Sequence, residues 1–283
     1  MNLSKLFEKN EEKEFTTFPS TLETYVWYKP FLIIIIAAIL SLVISSVIFK
    51  IAGVNVKAGG IERIIYSSIT MIALIPGIYI GFKLLYKIPF STQIAPIRKW
   101  NWGIYIKSFI ITLIVYGVFQ VVPLLVSGKP NITNTSIAVL ILCLILPLVQ
   151  GFAEEYLCRG LLMQTFGSWF KIPIVAIFLQ AIIFSLLHPY EILAAIGVFC
   201  VGFVYGFITW YGQGLESASA MHTVNNTFSF LALGVGLQQT VSSNSAVDFL
   251  MNLVFLIIPI IIVFALDKKF NWFGEIPENT PNV

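Results

Sequence analysis

IAVLILCLILPLVQGFAEEYLCRGLLM, residues 137–163, is an apolar run long enough to cross a bilayer, and it continues without interruption into Glu154, Glu155 and Arg159. A helical span needs about 20 mostly apolar residues. A charge at the centre of such a span costs about 2.5–3.5 kcal/mol on insertion scales, so charges inside a membrane segment mark a functional site by default. The stretch therefore bears on fold and site together.

The rest of the chain agrees with the first part of that reading. Of its 283 residues 58% are hydrophobic and 11% charged, against about 25% charged in soluble domains. With the run above extended to 137–166, apolar segments fall at 31–49, 64–86, 104–126, 173–188, 192–212, 217–236 and 248–266. Their uninterrupted length excludes a barrel built from ten-residue alternating strands. The expected fold class is all-α: a polytopic transmembrane helix bundle of about eight spans. Residues 1–29 read as a cytoplasmic or interfacial tail, 30–136 as transmembrane helices one to three, 137–236 as the core that carries the candidate site, and 237–283 as the last transmembrane helix and a polar tail. Within 137–166, Pro147 and Gly151 leave two possibilities, one long helix with its charges in mid-membrane or a helix broken near either residue.

The net charge of +3 is small, and no concentrated basic face of the kind nucleic acid requires is present. Charge location says more. With eight spans, Lys5, Lys9, Lys13, Lys29, Lys83, Lys87, Arg98, Lys99, Lys107, Lys171, Lys268 and Lys269 fall on one side, against Lys50, Lys57, Arg63 and Lys129 on the other. The positive-inside rule then makes both termini cytoplasmic. Cys143, Cys158 and Cys200 lie in apolar segments without metal-ligand spacing and read as small buried hydrophobes. The first apolar run follows a charged stretch and lacks a small-residue cleavage site, so it reads as a retained helix. Gly77 with Gly81 and Gly202 with Gly206 mark close helix contacts within the chain. The sequons at Asn131 and Asn134 read as chance matches.

The only two histidines, His188 and His222, both stand in apolar stretches. Neighbouring helical residues point about 100° apart, so Glu154 and Glu155 take different roles. Glu155 and Arg159 are four apart in the favourable acid-first order for an intrahelical pair. That turns Glu154 toward the interior as a candidate general base. Residues 167–171 form the turn between the fourth and fifth spans, which brings Glu154 and His188 to similar heights on antiparallel arms. His222 and Asn226, four apart, share one face of the seventh span, and Ser217-Ala218-Ser219-Ala220 before them allows close approach. By span order alone His222 lies nearer the inner face than Glu154 or His188.

A base, a second imidazole and a histidine–carboxamide pair are the parts needed for attack of water on an amide. Donors preorganised toward the oxyanion are worth about 2.7–4 kcal/mol each. Two histidines and a glutamate are also a zinc set with an open position for water, which makes Glu154, His188 and His222 candidate ligands of one divalent metal. The helical HExxH signature is absent, so that alternative rests on composition.

The sequence resembles the CPBP intramembrane metalloprotease family, comprising the CAAX endopeptidases and the Abi, bacteriocin-processing branch. Its EExxxR motif stands as Glu154-Glu155-Tyr156-Leu157-Cys158-Arg159, its FxxxH motif as Phe184 to His188, and its HxxxN motif as His222-Thr223-Val224-Asn225-Asn226. All three occur in order, one per apolar segment, over roughly residues 137–236. The resemblance implies an intramembrane endopeptidase acting on a membrane-associated protein or peptide. It implies that Glu154 and His188 activate the water, that His222 and Asn226 form the oxyanion site, and that Glu155 with Arg159 holds the first helix in register, with Phe184 shaping the pocket. The expected setting is a bacterial plasma membrane, the bilayer itself being the other partner. A non-proteolytic scaffold or bacteriocin-immunity protein of the same fold is the alternative. A proton-coupled carrier would use the same acids as a relay, but no internal repeat of the transporter kind is visible.

Overall fold

The computed structural model describes residues 3–53, 60–122, 135–237 and 245–274, and among these there is no strand. The sequon asparagines, Lys57, Lys129 and residues 123–126 of the expected third span lie outside them. The helices are α1 (Lys29–Ala52), α2 (Gly60–Ile72), α3 (Leu74–Leu85), the short α4 (Phe90–Ile94), α5 (Trp102–Val121), α6 (Ile137–Phe170), α7 (Pro173–Leu186), α8 (Ile192–Gly212), α9 (Glu216–Gly234) and α10 (Ala246–Phe270). The fold class is the expected one, all-α, and among the described residues 6 spans are long and apolar enough to cross a membrane, α2 and α3 together forming one of them.

The two remaining expected spans explain themselves by composition. Helix α7 is apolar but short. Helix α9 is the polar one, and every residue from Glu216 to Val224 is buried among the other helices. A span surrounded by protein does not need to be apolar, because it exchanges hydrogen bonds with its neighbours rather than facing hydrocarbon.

The choice left open at Pro147 falls to the long helix, since α6 runs 34 residues without a break. Its irregularity comes later. Tyr156–Met163 is a π-helical stretch starting immediately after the two glutamates. Such widened turns arise frequently at functional sites, and here all of the stretch except Leu157 is buried.

The glycine pairs act as read. A Cβ on Gly81 would press on Ile33 of α1, and one on Gly202 would lie 3.0 Å from the Ala181 backbone of α7. Gly151 does the same for the motif helices, since its Cβ would lie 3.1 Å from Thr223 N and 3.4 Å from His222 C of α9. Small residues let backbones meet in this way where lipid offers no hydrophobic drive to association.

One end of the bundle gathers the basic residues. Lys29 Nζ donates to Leu85 O at 2.9 Å, Arg98 pairs with Glu216 at the start of α9, and Lys107 stands 4.7 Å over the Trp272 ring after α10. Residues 3–28 dock on this end. Asn10 N–H donates to Lys171 O at 2.7 Å, Phe15 N–H to Gln213 Oε1 at 2.6 Å, and Trp210 Nε1 to Glu14 Oε2 at 3.0 Å. Phe15 and Phe18 enter the largest core cluster, with Ile33, Ile78, Phe82, Tyr156 and Trp210. Exposed aromatics Trp27, Tyr28 and Phe31 lie beside them, the placement that suits amphipathic rings at headgroup level.

Candidate active site

Helix α6 supplies both glutamates and Arg159, the end of α7 supplies Phe184 and His188, and α9 supplies His222 and Asn226. The height difference expected for His222 does not arise. Leu215 N–H, at the start of α9, donates to Ile94 O at 3.1 Å. The α4 turn that carries Ile94 is itself folded back against α6, with Phe90 5.6 Å from the Tyr156 ring and Gln164 Nε2 donating to Gln93 O at 3.0 Å. Helix α9 therefore begins inside the bundle, and His222, under two turns later, arrives at Glu154.

All seven side chains of the three motifs come together. Glu155 Oε1 accepts from Arg159 Nη1 at 2.8 Å and from His222 Nδ1 at 2.7 Å. Both Glu155 and Arg159 are 0% exposed. Arg159 Nη2 also donates to Gly202 O at 2.8 Å, and its guanidinium lies 4.9 Å from the Phe184 ring and 5.7 Å from that of Tyr205. This buried cation has carboxylate, carbonyl and ring partners, as a charge in an apolar interior requires. Phe184 stands between Arg159 and the histidines, 4.8 Å from the His188 ring and 6.0 Å from that of His222.

The histidine tautomers follow from their partners. Carboxylate and carbonyl oxygens only accept, so His222 Nδ1–H donates to Glu155. By the same argument His188 Nδ1–H donates to Phe184 O at 2.8 Å. Both Nε2 edges then turn to Glu154 Oε2, at 3.4 Å for His222 and 3.9 Å for His188. Glu154 Oε2 is buried and has no hydrogen-bond partner. Lone pairs facing one another in this way need hydrogens between them, from water or from an imidazolium.

Sequence reasoning assigned no role in the site to four further side chains. Gln150 Nε2 donates to Glu154 Oε1. Asn226 Nδ2 donates to Gln150 Oε1 at 2.7 Å, Asn225 Nδ2 to Asn226 Oδ1 at 3.0 Å, and Tyr116 O–H to Asn225 Oδ1 at 2.7 Å. Tyr205 of α8 packs with its ring centroid 5.6 Å from that of His222. The signal for Gln150 was its place four residues before Glu154. For Tyr116 and Tyr205, on other helices, the sequence carried none.

The donor types around Glu154 suit zinc, and the outward hydrogen bonds from both Nδ1 atoms are the kind that orient metal-bound imidazoles. Among the described residues no group of three or more His, Cys, Asp or Glu side chains is already arranged as a metal site.

Residues 134–228, which contain all three motifs, match the family model described as type II CAAX prenyl endopeptidase Rce1-like. Across its motif-bearing core the chain is similar to that family. The match agrees with the resemblance to the CPBP family over that core. The chain is also 29% identical over 174 residues to a Bacillus subtilis (strain 168) protein named uncharacterized protein YyaK, an alignment spanning 57% of this chain and 58% of that relative. No solved structure matches.

Proposed function

We propose that the protein is an intramembrane endopeptidase that hydrolyses a peptide bond of a membrane-associated protein or peptide with a glutamate-activated water. One observation carries this reading: Glu154 Oε2, buried and without a partner, faces the Nε2 edges of both histidines.

A water held there donates one hydrogen to Glu154 and is oriented by His188. Glu154 takes its proton as the oxygen attacks the peptide carbon. The carbonyl oxygen becomes an oxyanion, met by the second hydrogen of Asn226 Nδ2 and by protonated His222 Nε2. Glu155 supports the charge on His222 through Nδ1, and Arg159 keeps Glu155 in place. Glu154 then passes the proton to the leaving nitrogen as the C–N bond breaks, yielding an acid and an amine. Burial strengthens each of these interactions and fixes the donors before the charge develops. No step is routed through a metal.

The basic end of the bundle, with residues 3–28, is proposed to face the cytoplasm of a bacterial cell. Lys29, Arg98, Lys107 and Lys171 all take partners at that end.

The test compares cells carrying the wild type, Glu154→Ala and His222→Ala by mass spectrometry of membrane-associated and secreted peptides. Fragments lost in both variants are expected, and they identify the substrate. Identical peptides, with both variants stably inserted, would favour the non-proteolytic scaffold or immunity alternative.

A further inference from the structure

Four side chains, the motif residue Asn226 with Gln150, Asn225 and Tyr116, form a chain with a single direction that ends on Glu154. An ionised carboxylate only accepts, so Gln150 must present its NH2 to Glu154 Oε1. Its carbonyl is then left to accept from Asn226 Nδ2 at 2.7 Å, the Asn226 carbonyl to accept from Asn225 Nδ2 at 3.0 Å, and the Asn225 carbonyl to accept from Tyr116 O–H at 2.7 Å. Every link has one donor and one acceptor. The carboxylate end thereby determines the orientation of all three carboxamides, and the phenol closes the chain as a donor.

Two consequences bear on the chemistry. Glu154 Oε1 is occupied by Gln150, which leaves Oε2 as the oxygen turned to the histidines. One hydrogen of Asn226 Nδ2 is held by Gln150, which aims the other. Gln150 is buried at 8% exposure, one turn before Glu154 on α6. It is the side chain that touches both the acid and the carboxamide.

We infer that Gln150 is a positioning residue that ties the general base Glu154 to the oxyanion donor Asn226, with Tyr116 anchoring the far end of the chain. The inference rests on the proteolytic reading above. It joins two functions: here proton abstraction and oxyanion stabilisation share one hydrogen-bonded bridge, so loss of the bridge affects the chemical step rather than substrate binding.

The probe is a synthetic peptide spanning a cleavage site found as Glu154-dependent in cells, used with the purified full chain in detergent. Gln150→Met is expected to lower kcat by about tenfold or more with KM within about twofold of wild type, because a bond to a charged group is lost from the chemical step alone. Tyr116→Phe is expected to lower kcat less, and the combined variant to lose less than the product of the two, as members of one network do. If Gln150→Met melts early, Gln150→Glu replaces it: volume and the acceptor for Asn226 are kept, the N–H to Glu154 is lost, and the same fall in kcat is expected. An unchanged kcat in a folded Gln150 variant, a loss confined to KM, or losses that multiply would overturn the inference while leaving Glu154-dependent cleavage intact. Absence of any Glu154-dependent fragment, or full cleavage by Glu154→Gln, would instead overturn the proteolytic reading and the inference with it.

Discussion

Glu155 Oε1 accepts from His222 Nδ1 at 2.7 Å, and the same oxygen accepts from Arg159 at 2.8 Å. One buried carboxylate thus fixes the register of α6 and decides which nitrogen of His222 is turned toward Glu154. Glu155→Gln keeps the shape and removes the charge that both partners use. Leaving Arg159 buried without a counter-charge is expected to cost about 3–5 kcal/mol of stability. Thermal melting in detergent should fall, and cleavage should fall further than melting alone explains. Unaltered melting and cleavage would show that the pair contributes neither.

Glu154 has the opposite profile. Its Oε2 has no hydrogen-bond partner, so Glu154→Gln breaks no hydrogen bond at that oxygen. Stability is expected to hold, while cleavage drops by about 10²–10⁴-fold, the contribution of a general base. A stable variant that cleaves normally would end the glutamate-activated mechanism.

Because the proposed steps use Glu154 and not a metal to activate the water, cleavage by the purified protein is expected to persist in EDTA and in 1,10-phenanthroline. Activity lost to chelation and restored by added zinc would assign Glu154, His188 and His222 as ligands instead.

Gly151 tests how closely α9 must approach. A Cβ there would lie 3.1 Å from Thr223 N and 3.4 Å from His222 C, so Gly151→Ala should push His222 off Glu154 by a fraction of an ångström. Misplacement by about 1 Å can cost about 10²-fold in rate, and a fall of about tenfold in kcat with preserved folding is expected from this smaller shift. Kinetics on the purified variant would check it.

The clamp at the start of α9 is a second support. Glu216 is 0% exposed and receives Arg98 Nη1 at 2.5 Å, Arg98 Nη2 at 2.7 Å and Asn101 N–H at 2.8 Å. Arg98→Ala leaves that acid buried without its cation and is expected to destabilise by about 3–5 kcal/mol, read as a lower melting temperature.

The docked amino-terminal segment carries a pH dependence. Burial pushes the Glu14 carboxyl above its ordinary value, with bonds from Thr16, Trp210 and Asn10 working against the rise. The docked state therefore binds the proton more tightly than the free segment. Its stability is greatest below the ordinary carboxylate range and declines as pH rises through the raised value. Proteolytic clipping of residues 3–28 should increase across that window in the wild type. Glu14→Gln should remove the dependence, and an identical pH profile in both would argue against it.

The sequence by itself determined the membrane bundle, the positions of most spans and the seven motif side chains, because each depends on local properties. Apolar length makes a span, and an i,i+4 interval puts Glu155 with Arg159 and His222 with Asn226 on shared faces. Uncompensated charge in an apolar run marks a site without any knowledge of its neighbours. Only the tertiary structure decided how those faces meet. The π-helical stretch after Glu155, the fold-back of α4 that starts α9 inside the bundle, and the bridge from Tyr116 through Gln150 to Glu154 all depend on contacts between residues far apart in the chain. A polar α9 is stable as a span only because other helices surround it, and that enclosure arises from packing, which no local interval in the sequence specifies.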